Sequence, residues 1–380
     1  MANQEHHRYS FTAEWYDSNA SLVRKYQLLF YDADNTVEMY DIKNRRLFLK
    51  RSKCDSLRYE DLYIGSMINI HSRQLTIVDY ADEFTRKQLS QRKQRTLAMI
   101  KPDAIGKVGP IIDIIYQSKL LINQAKMISL STSNAQAFYA EHKAKPFYDK
   151  LVRFMTSGPV VAMELMGEDA IQAWRQILGP TDSSVARSEA PGSIRAMFGT
   201  DNTQNACHGS DSPASGERET DFFFSKPHKN TAQLKNCTCC IIKPTAVKNG
   251  QAGEIMSAIC DAGFKMSALE MFHLERANAE EFLEVYKGVV TEYMDMVSEL
   301  CSGPSIVVEI TGSTSMDPNT IPATFREFVG PSDPEIARHL RPKTLRARFG
   351  KNKVLNAVHC TDLSEDGMLE TEYFFRILSS

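Results

Sequence analysis

The sequence predicts an α+β protein: two tandem ferredoxin-like (βαββαβ) domains behind a β-rich amino-terminal domain. Three observations carry this. A set of short motifs occurs twice, in the same order, across two long segments. Each segment alternates short apolar strands with stretches of helical period. Residues 1–90 carry neither the motifs nor that alternation. The expected domains are therefore 1–90, 91–228 and 229–380.

In the first domain, Tyr26–Tyr31, Thr36–Asp41, Arg46–Arg51, Ser66–His71 and Gln74–Asp79 read as short strands. Asp32-Ala33-Asp34-Asn35 supplies turn chemistry between two of them. No phosphate loop, cofactor motif or acid–base pair is visible, so binding is the expected role.

The repeat defines the rest. Met99-Ile100-Lys101-Pro102 returns as Ile241-Ile242-Lys243-Pro244, and Ser157-Gly158-Pro159-Val160 as Ser302-Gly303-Pro304-Ser305. Leu178-Gly179-Pro180-Thr181-Asp182 pairs with Val329-Gly330-Pro331-Ser332-Asp333. Ile194-Arg195-Ala196 matches Leu345-Arg346-Ala347, and Asn205-Ala206-Cys207-His208 matches Asn356-Ala357-Val358-His359. In the first copy, Thr96–Ile100 and Pro159–Leu165 read as strands, Ile111–Ser118 and Ile171–Leu178 as helices. Cys239–Ile242, Gly253–Ala262, Ser305–Ile310 and Thr324–Val329 repeat them. A linker is expected near Ser225–Lys235, where Pro227 and Asn230 break the periodicity.

Composition narrows the class. At 380 residues the chain exceeds one ordinary core, and 42% apolar content suits folded domains. Net charge is −2, from 45 basic and 47 acidic residues, so neither a nucleic-acid nor a membrane surface is implied. Met1 to His7 has no apolar core like that of a signal peptide, and no apolar run reaches the roughly 20 residues of a membrane span. The eight cysteines show no framework spacing. Cys237-Thr238-Cys239-Cys240 runs into an apolar strand without a second ligand pair, which argues against zinc. A soluble, intracellular protein with reduced thiols is expected.

Phosphoryl transfer needs a nucleophile and cations that hold phosphate charge. His208 suits the first role, because a neutral imidazole nitrogen exists near pH 7. Glu219 is the candidate that fixes its tautomer. Lys101, directly after a strand, places an ammonium at the sheet's end. Arg175 and Arg195 offer fork-like donors to phosphate oxygens.

These motifs, with the Tyr139–Phe147 spacing and Asn205-Ala206-Cys207-His208-Gly209-Ser210, closely resemble the nucleoside diphosphate kinase family, over about 91–225 and again 237–378. The resemblance implies a ping-pong reaction: His208 takes the γ-phosphate of ATP and passes it to a nucleoside diphosphate. Carried over, it assigns Lys101, Arg175, Thr181, Arg195 and Asn205 to phosphates and ribose, and Phe147 and Leu151 to the base. Tyr139 and Glu219 would orient the histidine, with Ser210 in support. Mg2+ would ride on the nucleotide without direct protein ligands. The Thr181–Arg195 stretch is longer than the family's usual loop, which bears on assembly surfaces built from it. Arg8 to Leu89, with Ala13-Glu14-Trp15-Tyr16-Asp17, resembles the DM-ten domains of ciliary proteins, thought to be pleckstrin-homology-like and microtubule-associated. By that resemblance the partners are tubulin, doublet microtubules and the γ-tubulin ring complex. The location is then cytoplasm and cytoskeleton, in the ciliary axoneme and at the centrosome or basal body.

The second copy is expected to be the weaker site. It keeps Lys243, Arg326, Ser332, Arg346, Asn356, His359 and Glu370, yet reads His359-Cys360-Thr361 where the first has His208-Gly209-Ser210. The cysteine is expected to add bulk where glycine lets backbone and phosphate approach. Leu283 stands near the Tyr139 position, and Val290 or Glu292 at that of Phe147. The alternative to an enzyme is a structural protein of ciliary microtubules that keeps kinase folds as scaffolding.

Overall fold

The computed structural model describes residues 7–17, 20–55, 57–71, 73–89, 94–118, 120–313 and 316–379. The 1–6 part of the stretch read above for a signal peptide lies outside them, as do 90–93, at the expected first domain boundary. The chain divides into two compact units, Met1–Lys93 with Cys301–Gly303 and Gln94–Leu300 with Pro304–Ser380.

In the first unit, β1 (Arg8–Asp17), β2 (Leu22–Tyr31), β3 (Thr36–Asp41), β4 (Arg46–Lys53), β5 (Met67–Ile70) and β6 (Arg73–Tyr80) form one sheet. Its order is β4-β3-β2-β1-β6-β5, every pair antiparallel. A short helix, α1 (Glu83–Leu89), follows. The expected strands omit β1, although it lies at the centre. Its burial does not alternate, because Ser10 is fully buried. That serine is satisfied from a distance: its N–H donates to Thr85 Oγ1 at 2.8 Å, and its Oγ accepts from Gln27 Nε2 at 3.0 Å. Phe11, Tyr26, Leu28, Phe30, Met39 and Leu75 form the centre of this unit's own core.

In the second unit the first copy runs β7 (Gln94–Ile100), α2 (Val108–Gln117), β8 (Leu121–Ile128), α3 (Thr132–Phe138), α4 (Tyr148–Met155) and β9 (Val160–Gly167). It continues with α5 (Ala170–Leu178), α6 (Ser183–Glu189), α7 (Ile194–Phe198), β10 (Cys207–Gly209) and α8 (Pro213–Phe224). The second copy repeats this as β11 (Thr238–Ile242), α9 (Pro244–Lys248), α10 (Ala252–Asp261), β12 (Phe264–Phe272), α11 (Arg276–Phe282), α12 (Tyr293–Leu300) and β13 (Ser305–Gly312). Then come α13 (Ile321–Val329), α14 (Pro334–Leu340), α15 (Leu345–Phe349), β14 (Val358–Cys360) and α16 (Gly367–Glu372). The strands β7, β9, β11 and β13 read as apolar runs because helices cover both faces.

The two copies are not separate bodies. All eight strands join one antiparallel sheet, β10-β7-β9-β8-β12-β13-β11-β14, and one apolar cluster runs through both halves. Each copy has the ferredoxin-like strand order, and the seam is β8 against β12, where Lys126 faces Glu270. Over the seam α2 packs on α10 with backbone nearly touching backbone. A Cβ on Gly109 would lie 2.5 Å from Ser257 N, and one on Gly253 2.4 Å from Asp113 N. The expected linker is tied down: Asn230 donates to Phe375 O at 2.6 Å, and Leu234 N–H to the buried Glu309 carboxylate at 2.7 Å. Cys239 and Cys240 are buried on β11, and among the described residues no cysteine forms a disulfide. Among the described residues no helix is long and apolar enough to cross a membrane.

Candidate active site

The reactive centre of the first copy sits on β10, at the free edge of the sheet, with His208 opposite Met99 of β7. The chain reaches it through a strained turn. Ala206 has φ +66°, a region that costs a non-glycine residue about 1–3 kcal/mol. Three hydrogen bonds hold it: Ala206 N–H to Asp103 Oδ2 (3.0 Å), Lys101 N–H to Ala206 O (2.8 Å) and Cys207 N–H to Asn205 O (2.7 Å). Ala357 repeats the conformation at φ +68°.

His208 Nε2 lies 2.8 Å from Glu219 Oε2, which also accepts from Ser210 Oγ at 2.8 Å. Ser210 Oγ in turn accepts from Leu97 N–H at 3.1 Å, so the strand itself positions the relay. Burial pushes the Glu219 carboxyl up, but hydrogen bonds from His208 and Ser210 outweigh it, and its pKa falls below the ordinary value. A carboxylate at Nε2 keeps the proton on that nitrogen and leaves Nδ1 with a lone pair.

Aromatic edges fix the ring. Phe138 meets it edge-on at 5.5 Å and Tyr139 at 6.4 Å. Tyr139, expected to orient the histidine, touches it only through the ring, and its buried hydroxyl has no partner. Phe138 is a contact the sequence reading missed, although its repetition as Phe282, 5.1 Å from His359, is a legible signal.

The expected phosphate ligands converge unevenly. Lys101 is buried and donates to Asn205 Oδ1 at 2.7 Å and Thr203 O at 3.2 Å. Burial first, then the Arg195 charge, pushes its pKa down to about 8. Arg195 donates to Gly179 O (2.8 Å) and Cys207 O (3.2 Å), while its Nε is buried without a partner. Asn205 also bridges to Thr181 O at 2.9 Å. Arg175 and the Thr181 side chain stand at the surface. Arg175 borders a cavity of about 630 Å³, which Gln94, Asp169 and Asp211 also line but Lys101, Arg195 and His208 do not. Phe147 caps α4 and is 47% exposed, beside the buried Leu151.

Gly209 answers to packing. A Cβ there would lie 2.5 Å from Trp174 Cδ1, and Trp174 Nε1 donates to His208 O at 3.2 Å. In the second copy the smaller Phe325 stands on α13 at the tryptophan's place, and Cys360 is buried without displacing the strand. The bulk expected of this cysteine is thus taken up within the fold, where phenylalanine replaces the larger tryptophan.

The second copy keeps a complete relay. His359 Nε2 lies 2.9 Å from Glu370 Oε2, which accepts from Thr361 Oγ1 at 2.9 Å. Lys243, pushed down to about 7 by burial and then by Arg346, donates to Val354 O at 3.0 Å. Arg346 donates to Val358 O (3.1 Å) and Gly330 O (3.0 Å), and Asn356 Nδ2 to Ser332 O (3.0 Å). Glu292 directly precedes α12, where Phe147 precedes α4. Arg326 is paired with Asp362 at 3.4 Å. Among the described residues no cluster of His, Cys, Asp or Glu could hold a metal ion.

Comparisons with known proteins place the chain in a family. The family model described as nucleoside diphosphate kinase matches residues 94–228 and 236–378, and that described as nucleoside diphosphate kinase 7 N-terminal PH domain matches 3–91. The chain is 56% identical over 377 residues to nucleoside diphosphate kinase homolog 7 of Rattus norvegicus, covering 98% of this chain and 94% of that protein. It is 51% identical over 134 residues to the nucleoside diphosphate kinase of Aquifex aeolicus, 35% of this chain and 94% of the other. A crystal form of the Aquifex aeolicus enzyme covers 35% of the chain at 50% identity, with a TM-score of 0.34. The chain belongs to the nucleoside diphosphate kinase family, with two kinase-fold copies behind a pleckstrin-homology-like domain.

Proposed function

We propose that the first copy is a nucleoside diphosphate kinase that moves the γ-phosphate of ATP to nucleoside diphosphates through a phosphohistidine at His208. The observation that carries this is the His208–Glu219–Ser210 relay, which presents Nδ1 as the nucleophile. Attack by Nδ1 breaks the bond from the γ-phosphorus to its bridging oxygen and forms a P–N bond. Glu219 stabilises the positive charge the ring acquires, and the reverse step delivers the phosphoryl group to the second nucleotide.

The residues fit a polyphosphate. Lys101 brings a buried ammonium, and the buried Arg195 Nε and Tyr139 hydroxyl are polar atoms without a partner. Lys101, Arg175, Thr181, Arg195 and Asn205 would hold phosphates and ribose, with Phe147 and Leu151 against the base. Mg2+, carried on the nucleotide, supplies charge neutralisation when bound. The test is acid-labile labelling by radioactive ATP followed by a diphosphate chase. Wild type is expected to label and discharge. His208→Ala is expected to lose about 10⁴-fold or more in turnover, and the reading fails if its labelling is unchanged.

A docking role for the amino-terminal unit is a second part of this reading, supported by its separate core. We place the protein on ciliary and centrosomal microtubules, with tubulin and the γ-tubulin ring complex as partners. Microtubule co-sedimentation that survives His208→Ala and is lost without residues 1–90 is the expected result. Equal binding by the shortened chain would refute it.

A further inference from the structure

The two copies carry the same histidine relay but differ in access. The His208 side chain is 23% exposed and that of His359 only 7%. Tyr286 follows Leu283 by three positions, as His142 follows Tyr139. In the first copy His142 stacks on Tyr139 at 6.2 Å and lies 5.9 Å from Phe147. In the second, the Tyr286 hydroxyl donates to Asp362 Oδ2 at 2.5 Å, and Asp362 Oδ1 holds Arg326 at 3.4 Å.

The sequence explains why Asp362 is available. Its counterpart Asp211 is engaged by Ser212 and Ser215 at the start of α8, where Ser212 caps the helix. Leu363 replaces that serine and cannot cap, so the aspartate turns toward Tyr286 and Arg326. The Tyr286 hydroxyl, held on Asp362, also feels the charges of Glu370 and Arg346.

We propose that Tyr286, Asp362 and Arg326 form a latch that makes His359 a latent phosphohistidine site, closed in the free chain and opened by a nucleoside triphosphate that competes with Asp362 for Arg326. This rests on the reading that such a relay accepts a phosphoryl group. Once the latch opens, Nδ1 of His359 attacks the γ-phosphorus. The bridging P–O bond breaks, a P–N bond forms, and the nucleoside diphosphate leaves with the bonding pair. The Nε2 proton stays on the ring, hydrogen-bonded to Glu370.

Two measurements on the full chain test it. The first is the rate at which diethyl pyrocarbonate modifies His359, read by mass spectrometry, and it involves no phosphoryl transfer. Tyr286→Phe and, separately, Asp362→Asn are each expected to raise that rate roughly tenfold, the loss of one hydrogen bond to a charged group, with His208 unchanged. Equal protection in wild type and both variants overturns the latch. The second is labelling by radioactive ATP in a His208→Ala background. His359-dependent label is expected to rise roughly tenfold with Tyr286→Phe and to vanish with His359→Ala. A modification rate that rises while label does not retains the gate but overturns the phosphohistidine site behind it. Label on His208 in wild type shows separately whether the underlying kinase reading stands.

Discussion

Gly209 follows the nucleophile because Trp174 leaves no room for a side chain, and its counterpart can be a cysteine because Phe325 is smaller. Gly209→Ala is expected to cost about 1–3 kcal/mol by overpacking, and Trp174→Phe in the same chain to restore most of it. Denaturant midpoints measure both. Lys101 governs a pH effect. With its pKa pushed from 10.5 to about 8, the folded chain binds fewer protons than the unfolded one between those values. The cost of burying its charge is thus fully present below about pH 8 and shrinks as pH rises toward 10.5. Phosphate needs the charged form, so kcat/KM is expected to fall above about pH 8, and Lys101→Arg to flatten that limb. At this scale repetition in the sequence marks the side chains we propose for the chemistry. It did not show Phe138, the strain at Ala206 or the reason for Gly209, because each depends on what stands across the fold.

At the scale of elements, α4 is preceded by an exposed phenylalanine and α12 by a glutamate, so at this position only the first copy presents an aromatic ring. Phe147→Ala is expected to raise nucleotide KM roughly tenfold, since stacking on one base contributes about 1–3 kcal/mol, with little change in fold stability. Steady-state kinetics with two different diphosphates would reveal it. The helix pair α2–α10 is the other sensitive contact. Gly253→Val forces a side chain against the Asp113 backbone and is expected to destabilise the second unit by about 1–3 kcal/mol or more, read as a lower thermal midpoint. The elements with continuous apolar runs were legible, as at Thr96–Ile100 and Cys239–Ile242. The central strand β1 was not, because Ser10 is buried in partnership with Thr85 and Gln27, and such partners are invisible to local pattern.

Across the whole second unit, pairing of β8 with β12 and packing of α2 on α10 merge two domains into one sheet. A chain ending at residue 228 would leave the β8 edge and the α2 face bare, and exposed edges invite pairing. It is expected to self-associate, with light scattering giving more than one copy per particle. A strictly monomeric fragment would show that the seam contributes little. By itself the sequence determined the duplication, the strand–helix order and the His–Glu–Lys–Arg set, because these are encoded in local period and in motifs that occur twice. Tertiary structure alone decided that the copies share a core, that Gly209 answers to Trp174, and that His359 is less exposed than His208. Those outcomes depend on which groups meet across long sequence separations, where one hydroxyl on Tyr286 and one missing cap at Leu363 redirect an aspartate present in both copies.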